Sequence, residues 1–283
     1  EPVAPDNPEY QDQIIKSYWE RDAFEEANRE IDSMLETFGR GSRWAQANAD
    51  NTAALEESDN IIEKNLRKAA VDSFQQAIKR KNKELLILAE IEYKKYLDYF
   101  PDSKKAYEMR FWYGEVLYKL KKYDLSAEQY EIVVGMDPNG KYLKDAASNS
   151  IFSIEKYIGR KQDEWDREAK AARAAMERET DPRLRYAAIE LNEWEKRLIT
   201  ACDTYARTLP NEENTYQVLY KAAYLLDTRN HFQDANQRYL EIVRAKPRTE
   251  TAQFAVHRML SSYEAIEDWE NLNKVAREFY QNP

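Results

Sequence analysis

Two histidines, His231 and His257, and one cysteine, Cys202, are the side chains in this sequence best suited to soft-metal, proton-transfer or nucleophilic chemistry. A zinc site needs three or four such ligands at short fixed spacings, and a thiol nucleophile needs a base within reach. The spacing here offers neither. The histidines fall in different helix pairs, neither belongs to an HExxH pattern, and neither is near Cys202 in sequence. His231 reads as an exposed turn residue, and Cys202 as a packed, inert thiol. The chain has no Gly-rich phosphate loop, no Gly-x-Ser-x-Gly elbow and no calcium loop. Glu108 and Glu115 are the pair a glycosidase would have to bring together. Most carboxylates instead sit at helical spacing from a cation, as in Glu90 with Lys94 and in Glu164 and Glu168 beside Arg167, which is the pattern of a solvated face. The expectation is a protein that is not an enzyme, with no catalytic residue, no metal and no cofactor. A glycan-processing helical enzyme is the remote alternative.

The elements that would position any site are helices. The chain has 283 residues, with 34% charged, 42% hydrophobic, 6 Gly and 9 Pro. Few helix breakers and many Ala, Glu, Lys, Arg and Leu favour long helices, and the apolar content is too high for a disordered chain. A formal net charge of -9 speaks against nucleic acid, which needs a basic face. The longest apolar run, Leu85 to Ala89, is far too short to span a membrane. One cysteine allows no intramolecular disulfide. The first residue is Glu1 and not Met, so the expectation is a mature or trimmed fragment whose targeting information lies elsewhere.

Residues 1–9 carry three prolines and read as an extended, mobile linker. Residues 10–69 read as a helical region of degenerate repeats. In it Gly39 fits a left-handed helix cap, Ser42 caps the next helix, and Asp50 or Asn51 caps a restart running to about Lys81. Residues 70–159 and 193–283 carry regular helix pairs, including predicted helices over 84–100, 106–120, 123–136, 142–158, 216–229, 232–245, 251–264 and 269–280. Gly159 is expected to stop the 142–158 helix. Residues 160–192 are dense in charge and read as a helical insertion, with a long helix resuming near Arg183 and running to Leu209. Its solvated charges make it an exposed hairpin. Trp165 and Trp194, set among those charges, mark it as a possible arm for contacting a partner. No capping helix follows Trp269–Tyr280, so truncation or continuation beyond Pro283 is expected.

Within these pairs a spacing recurs. Tyr123, Ser126, Tyr130, Val133 and Pro138 are matched by Phe232, Ala235, Tyr239, Ile242 and Pro247. Ala89, Tyr93, Tyr96 and Pro101 repeat it without the leading aromatic. First-helix counterparts are Trp112-Tyr113-Gly114 with Leu117, and Leu219, Ala222, Ala223 and Leu226. A helix-turn-helix repeat of roughly 34 residues has this form. The pattern resembles the tetratricopeptide family, with Ser126 where that family has Ala and Ala223 where it has Gly. The resemblance implies an all-α fold, a helix-turn-helix superhelical solenoid interrupted by the charged insertion. It also implies protein binding in a concave groove lined by first helices. Tyr96 to Ser103, followed by Phe111-Trp112-Tyr113-Gly114-Glu115, is similar to repeats of bacterial envelope proteins of the barrel-assembly lipoprotein and periplasmic cell-division coordinator type. That likeness implies a periplasmic or outer-membrane-associated chain, with the cytoplasm as the alternative.

Carried over by position, the groove would hold Glu108, Phe111, Glu115, Tyr118 and Lys119 from one repeat. Gln217, Tyr220, Lys221, Tyr224 and Asp227 come from the next matched one, and His257, Ser261 and Glu264 from the last. Exposed tyrosines offer rigid apolar area and a hydroxyl at low entropy cost, although most of the 20 tyrosines read as packing residues. The expected function is a scaffold that docks a partner peptide or helix inside a larger assembly, with neither nucleic acid nor a membrane span. Self-assembly through the solenoid ends is the alternative.

Overall fold

The computed structural model describes residues 3–281. The described residues are all-α, with no strand among them, and fall into two compact units, Glu1–Lys122 and Tyr123–Pro283. None of their helices is long and apolar enough to cross a membrane.

The first unit contains α1 (Asn7–Trp19), α2 (Phe24–Phe38), α3 (Arg43–Ala47), α4 (Thr52–Arg80), α5 (Lys83–Tyr99) and α6 (Ala106–Lys119). Its core gathers Ile15, Ile31, Met34, Trp44, Leu66, Tyr93, Tyr96 and Leu117. Helix ends follow the sequence signals. Ser42 accepts from the Ala45 amide, Asn51 from Ala54, and Asn82 from Glu84 and Leu85. Gly39 departs from expectation, since its backbone is extended at φ -67. A side chain there would meet the Leu35 carbonyl at 2.3 Å and the Tyr99 hydroxyl at 2.6 Å, so close approach is what requires glycine. Residues 3–9 are also not the extended linker that their prolines imply. Helix α1 begins at Asn7, with buried Pro8 in its first turn. The Trp44 indole donates to the Ala4 carbonyl at 2.8 Å and Asn48 donates to that of Val3 at 3.1 Å.

Several polar groups that this unit buries are satisfied, although Trp19 Nε1, Asn28 Oδ1 and Arg67 Nε have no hydrogen-bond partner. Asp12 accepts from Lys64 at 2.7 Å, Asn65 at 2.7 Å and Lys16 at 2.9 Å. Burial works to raise its carboxyl, but these three donors outweigh it and hold the group below its ordinary value. Glu63 accepts from the Tyr96 hydroxyl at 2.7 Å and from Ser103. Ser103 is therefore tied to Glu63 and also accepts from the Lys105 amide, and the N-cap residue of α6 is Lys105. Glu90 pairs with Lys122 at 2.6 Å, while Lys94 turns to Asp98. The expected Glu90–Lys94 pair is thus replaced by one that holds the α6 end against α5.

The second unit contains α7 (Tyr123–Met136), α8 (Leu143–Met176), α9 (Pro182–Arg185), α10 (Glu193–Thr208), α11 (Thr215–Thr228), α12 (Phe232–Ala245), α13 (Glu250–Ala265) and α14 (Trp269–Gln281). Neighbouring helices pack in chain order, α7 on α8, α8 on α10, then α10 through α14 in succession. Cys202, Tyr205, Leu219, Ala222, Ala223, Tyr239, Ile242 and Met259 form the core. Burial pushes the Cys202 thiol up to about 12.

The insertion differs from its reading. Gly159 does not stop α8, which runs on to Met176. A mid-helix glycine costs only about 1 kcal/mol, and the alanine-rich, charged segment after it is a strong helix former. The chain then returns through the single turn of α9 and a non-helical stretch over 186–192, so no continuous helix runs from Arg183. Asn192 starts α10 with a capping box. It accepts from the Glu195 amide at 2.9 Å, while its own amide donates to Glu195 Oε2 at 3.0 Å.

Candidate interaction surface

The first helices of the second unit carry an open aromatic row. Ala147, Ile151 and Ile154 on α8 turn inward as Leu219, Ala223 and Leu226 do on α11, so Phe152 and Tyr224 occupy matching outward positions. Phe152 is 52% exposed and Tyr224 47%, and Phe254 on α13 is 53% exposed. Ion pairs tie these helices together beside the rings. Glu155, one turn after Phe152, meets Lys221 of α11 at 2.6 Å. Tyr224, one turn after Lys221, has the Arg258 guanidinium 5.3 Å from its ring centre. Arg258 lies one turn after Phe254 and pairs with Asp227, which also accepts from the buried Tyr239 hydroxyl at 3.3 Å. Tyr220 stacks on Tyr224 with ring centres 6.2 Å apart. Side chains three or four residues apart share a helix face, so Phe152, Glu155, Lys221, Tyr224, Arg258 and Phe254 form one connected surface.

Rigidity beneath this surface comes from Asp227. Burial holds its carboxyl above the ordinary value, with Arg258 and Tyr239 opposing but not cancelling that shift. Burial likewise raises Tyr220. The Tyr220 ring therefore stays neutral at physiological pH, available for apolar contact.

The expected residues divide. Gln217, Tyr224, His257, Ser261 and Glu264 are exposed, and Tyr220 and Lys221 are half-buried. Asp227 is buried at 4% exposure and lies beneath the surface as a support, which corrects its reading as a groove contact. In the first unit Phe111 is buried, at 5% exposure, edge-on to Trp112, and cannot line an open groove. Glu108, Glu115 and Tyr118 are half-buried and engaged, and only Lys119 of that set is exposed. Glu108 and Glu115 are two helical turns apart on α6, about 10.5 Å along the axis. Sequence reasoning missed Phe152, Phe254 and Arg258. Aligning Ile151 and Ile154 with Ala223 and Leu226 was the signal that would have found Phe152.

The insertion's tryptophans are structural anchors as much as exposed groups. Trp194 stacks on Tyr157, ring centres 3.9 Å apart, beneath the Arg197 guanidinium. Trp165 is half-buried, facing the returning stretch that includes Ile189 and Leu191. The side chains of Glu164 and Glu168, expected to flank Arg167, lie outside the described residues. The returning stretch is fastened to the α11–α12 turn. The Ile189 amide donates to the Arg229 carbonyl at 2.8 Å, Asn230 donates to Ala187, and Arg173 donates to Thr228. His231 is half-buried, with Nε2 at 2.9 Å from the Ile189 carbonyl, and so is not the simply exposed residue expected. Beneath it Arg229 and Glu195 form an ion pair with both side chains under 10% exposed, at 8% and 5%.

No protein-family model matches the chain, and no curated protein matches it.

Proposed function

We propose that the chain is a non-enzymatic protein-interaction scaffold whose second unit docks a partner peptide or helix on the α8–α11–α13 face. The observation that carries this reading is the placement of Phe152, Tyr224 and Phe254, one exposed aromatic on each first helix, on a surface joined by ion pairs. Large exposed apolar groups clustered on one face mark interaction sites, and aromatic anchors dominate binding energy. The support beneath them holds the rings in place before a partner arrives, which lowers the ordering cost of binding.

The tetratricopeptide likeness of the repeated spacing supports reading these helix pairs as a superhelical solenoid, with the 160–192 segment as an insertion. The Tyr96 to Glu115 likeness supports a subunit of a bacterial envelope assembly in the periplasm. Affinity capture with the full chain tests the reading. Phe152→Ala with Tyr224→Ala should abolish recovery of a specific partner while leaving the helical content and melting temperature near those of the parent. Undiminished recovery would contradict it. Concentration-dependent mass in light scattering, lost in the same double variant, would make the partner a second copy of the chain.

A further inference from the structure

Four cations, Lys79, Arg80, Lys81 and Lys83, crowd the turn between α4 and α5. All four are exposed, and no ion pair joins any of them to a carboxylate among the described residues. Over residues 78–84 the one carboxylate is Glu84, in a chain whose net charge is -9. Helix stability accounts for part of this. Lys79 and Arg80 end α4, where the carbonyl end of the dipole favours cations, but Lys83 opens α5, where the same effect disfavours one. Other exposed lysines of this unit have carboxylates at hand. Lys122 is held by Glu90 at 2.6 Å, and Lys104 and Lys105 share a cleft with Glu56, Asp59, Glu63 and Asp102.

The turn presents its charges from a fixed frame. Only Lys81 and Asn82 join the two helices. Lys81 is left-handed at φ 51, its amide donates to the Ile78 carbonyl at 3.3 Å, and that of Asn82 donates to Ala77 at 3.1 Å. Aliphatic side chains flank it. Ile78 lies one helical turn before it, Ile87 one turn after it and Ile91 a further turn along α5, all 42–51% exposed. A single exposed isoleucine needs no explanation, but three beside one basic turn make a mixed patch.

The two chemistries together select the occupant. Nucleic acid offers phosphates but no apolar layer for isoleucine, and a peptide acidic enough to match four cations carries few aliphatic groups. A bilayer with anionic headgroups supplies both, phosphates above and an acyl boundary below. Screening confines the attraction to groups within about 8 Å of the surface, so the charge of the tip decides and not that of the whole chain.

We propose that the α4–α5 tip docks on an anionic lipid bilayer, with Lys79, Arg80, Lys81 and Lys83 at the headgroups and Ile78 and Ile87 at the acyl boundary. Such contact lies on a membrane and needs no spanning helix. It is a property of the first unit and does not rest on the aromatic face of the second.

The test is vesicle flotation with the full chain, using phosphatidylcholine with and without about one-third phosphatidylglycerol. Binding should be saturable on the anionic vesicles and at least about tenfold weaker on phosphatidylcholine alone or at about 0.5 M salt. Lys79→Gln with Lys83→Gln should weaken it about 25-fold, or about fivefold per charge, with the melting temperature near that of the parent. Lys104→Gln with Lys105→Gln removes the same charge at the other end of α5 and should change affinity by less than about twofold. Ile78→Ser with Ile87→Ser should weaken binding roughly tenfold while leaving its salt dependence as it was. Absence of binding to anionic vesicles overturns the proposal, and so do equal losses from the two lysine pairs or affinity indifferent to the isoleucines. A polyglutamate peptide or an oligonucleotide that saturates the tip where anionic vesicles do not would make the occupant an acidic protein or a nucleic acid, and equally overturns it.

Discussion

Helices α6 and α11 carry the same repeat pattern and meet opposite fates. On α6 the aromatic placed toward the groove, Phe111, is 5% exposed, and its neighbours Glu108, Glu115 and Tyr118 are half-buried and engaged. On α11 the counterpart of Phe111, Tyr220, is half-buried, and Tyr224, the counterpart of Glu115, stands 47% exposed above buried Asp227, which pairs with the half-buried Arg258. Repeat position fixes which way a side chain points from its helix, but what covers that direction is a property of the neighbours. The first unit therefore closes over α6, beside polar networks such as Asp12 with Lys16, Lys64 and Asn65. The second supports an open aromatic face from below.

The contrast can be broken most sharply at its buried anchors. Glu195→Ala would leave Arg229 buried and unpaired and remove half of the α10 capping box. It should destabilise the second unit by about 3–5 kcal/mol, read by urea unfolding with exchange protection lost first over 186–192. In the first unit Trp44→Ala should cost about 3–5 kcal/mol and release the tail held through Ala4. A loss below about 1 kcal/mol in either variant would remove that anchor from the account. Next in size is the direct α6–α11 comparison. Phe111→Ala should cost about 3 kcal/mol of stability, whereas Tyr224→Ala should cost under about 1 kcal/mol and act on binding. Equal thermal shifts would erase the distinction between the closed and open helices.

Acid sharpens the same contrast. The Asp12 carboxyl is held below its ordinary 3.8, so the stability it contributes is present above that value and is lost as pH falls through the lower folded-state value. Asp227 lies above 3.8, so the folded state takes up its proton first and acidification through that raised value favours folding locally. Carboxyl-detected NMR should show Asp12 titrating below and Asp227 above 3.8, and the reverse order would refute the assignment of their environments. The smallest effect expected is at Gly159. Gly159→Ala should stabilise by about 0.5–1 kcal/mol, because α8 passes through this position and a Cβ there meets nothing within 4 Å. A loss of stability would mean that the helix breaks there.

Helix order and most helix ends were legible in the residues. Ser42 and Asn51 cap where their side chains predict, and α7 and α12 span the predicted 123–136 and 232–245. The insertion was misread because two local signals competed. Glycine at 159 looked like a stop, but a helix stop needs a left-handed residue followed by a turn, and Lys161 onward is strongly helix-forming. Conversely Asn192 and Glu195 spelled a capping box that was passed over in favour of an unbroken helix from Arg183. The aromatic face was half legible. Tyr220 and Tyr224 follow from repeat position, but burial of Phe111 and Asp227 depends on contacts that no spacing records, and the ion pairs Glu155–Lys221 and Asp227–Arg258 join residues far apart in sequence.

Placing a photo-crosslinking residue at Tyr224, and in parallel at Ile87 of α5, tests the interaction face most directly. Ile87 is 42% exposed and so controls for mere accessibility. A discrete adduct from position 224, suppressed by Phe152→Ala with Phe254→Ala and missing from position 87, is the predicted result. Adducts of equal yield from both positions, or none from 224 in a sample that still captures its partner, would contradict it.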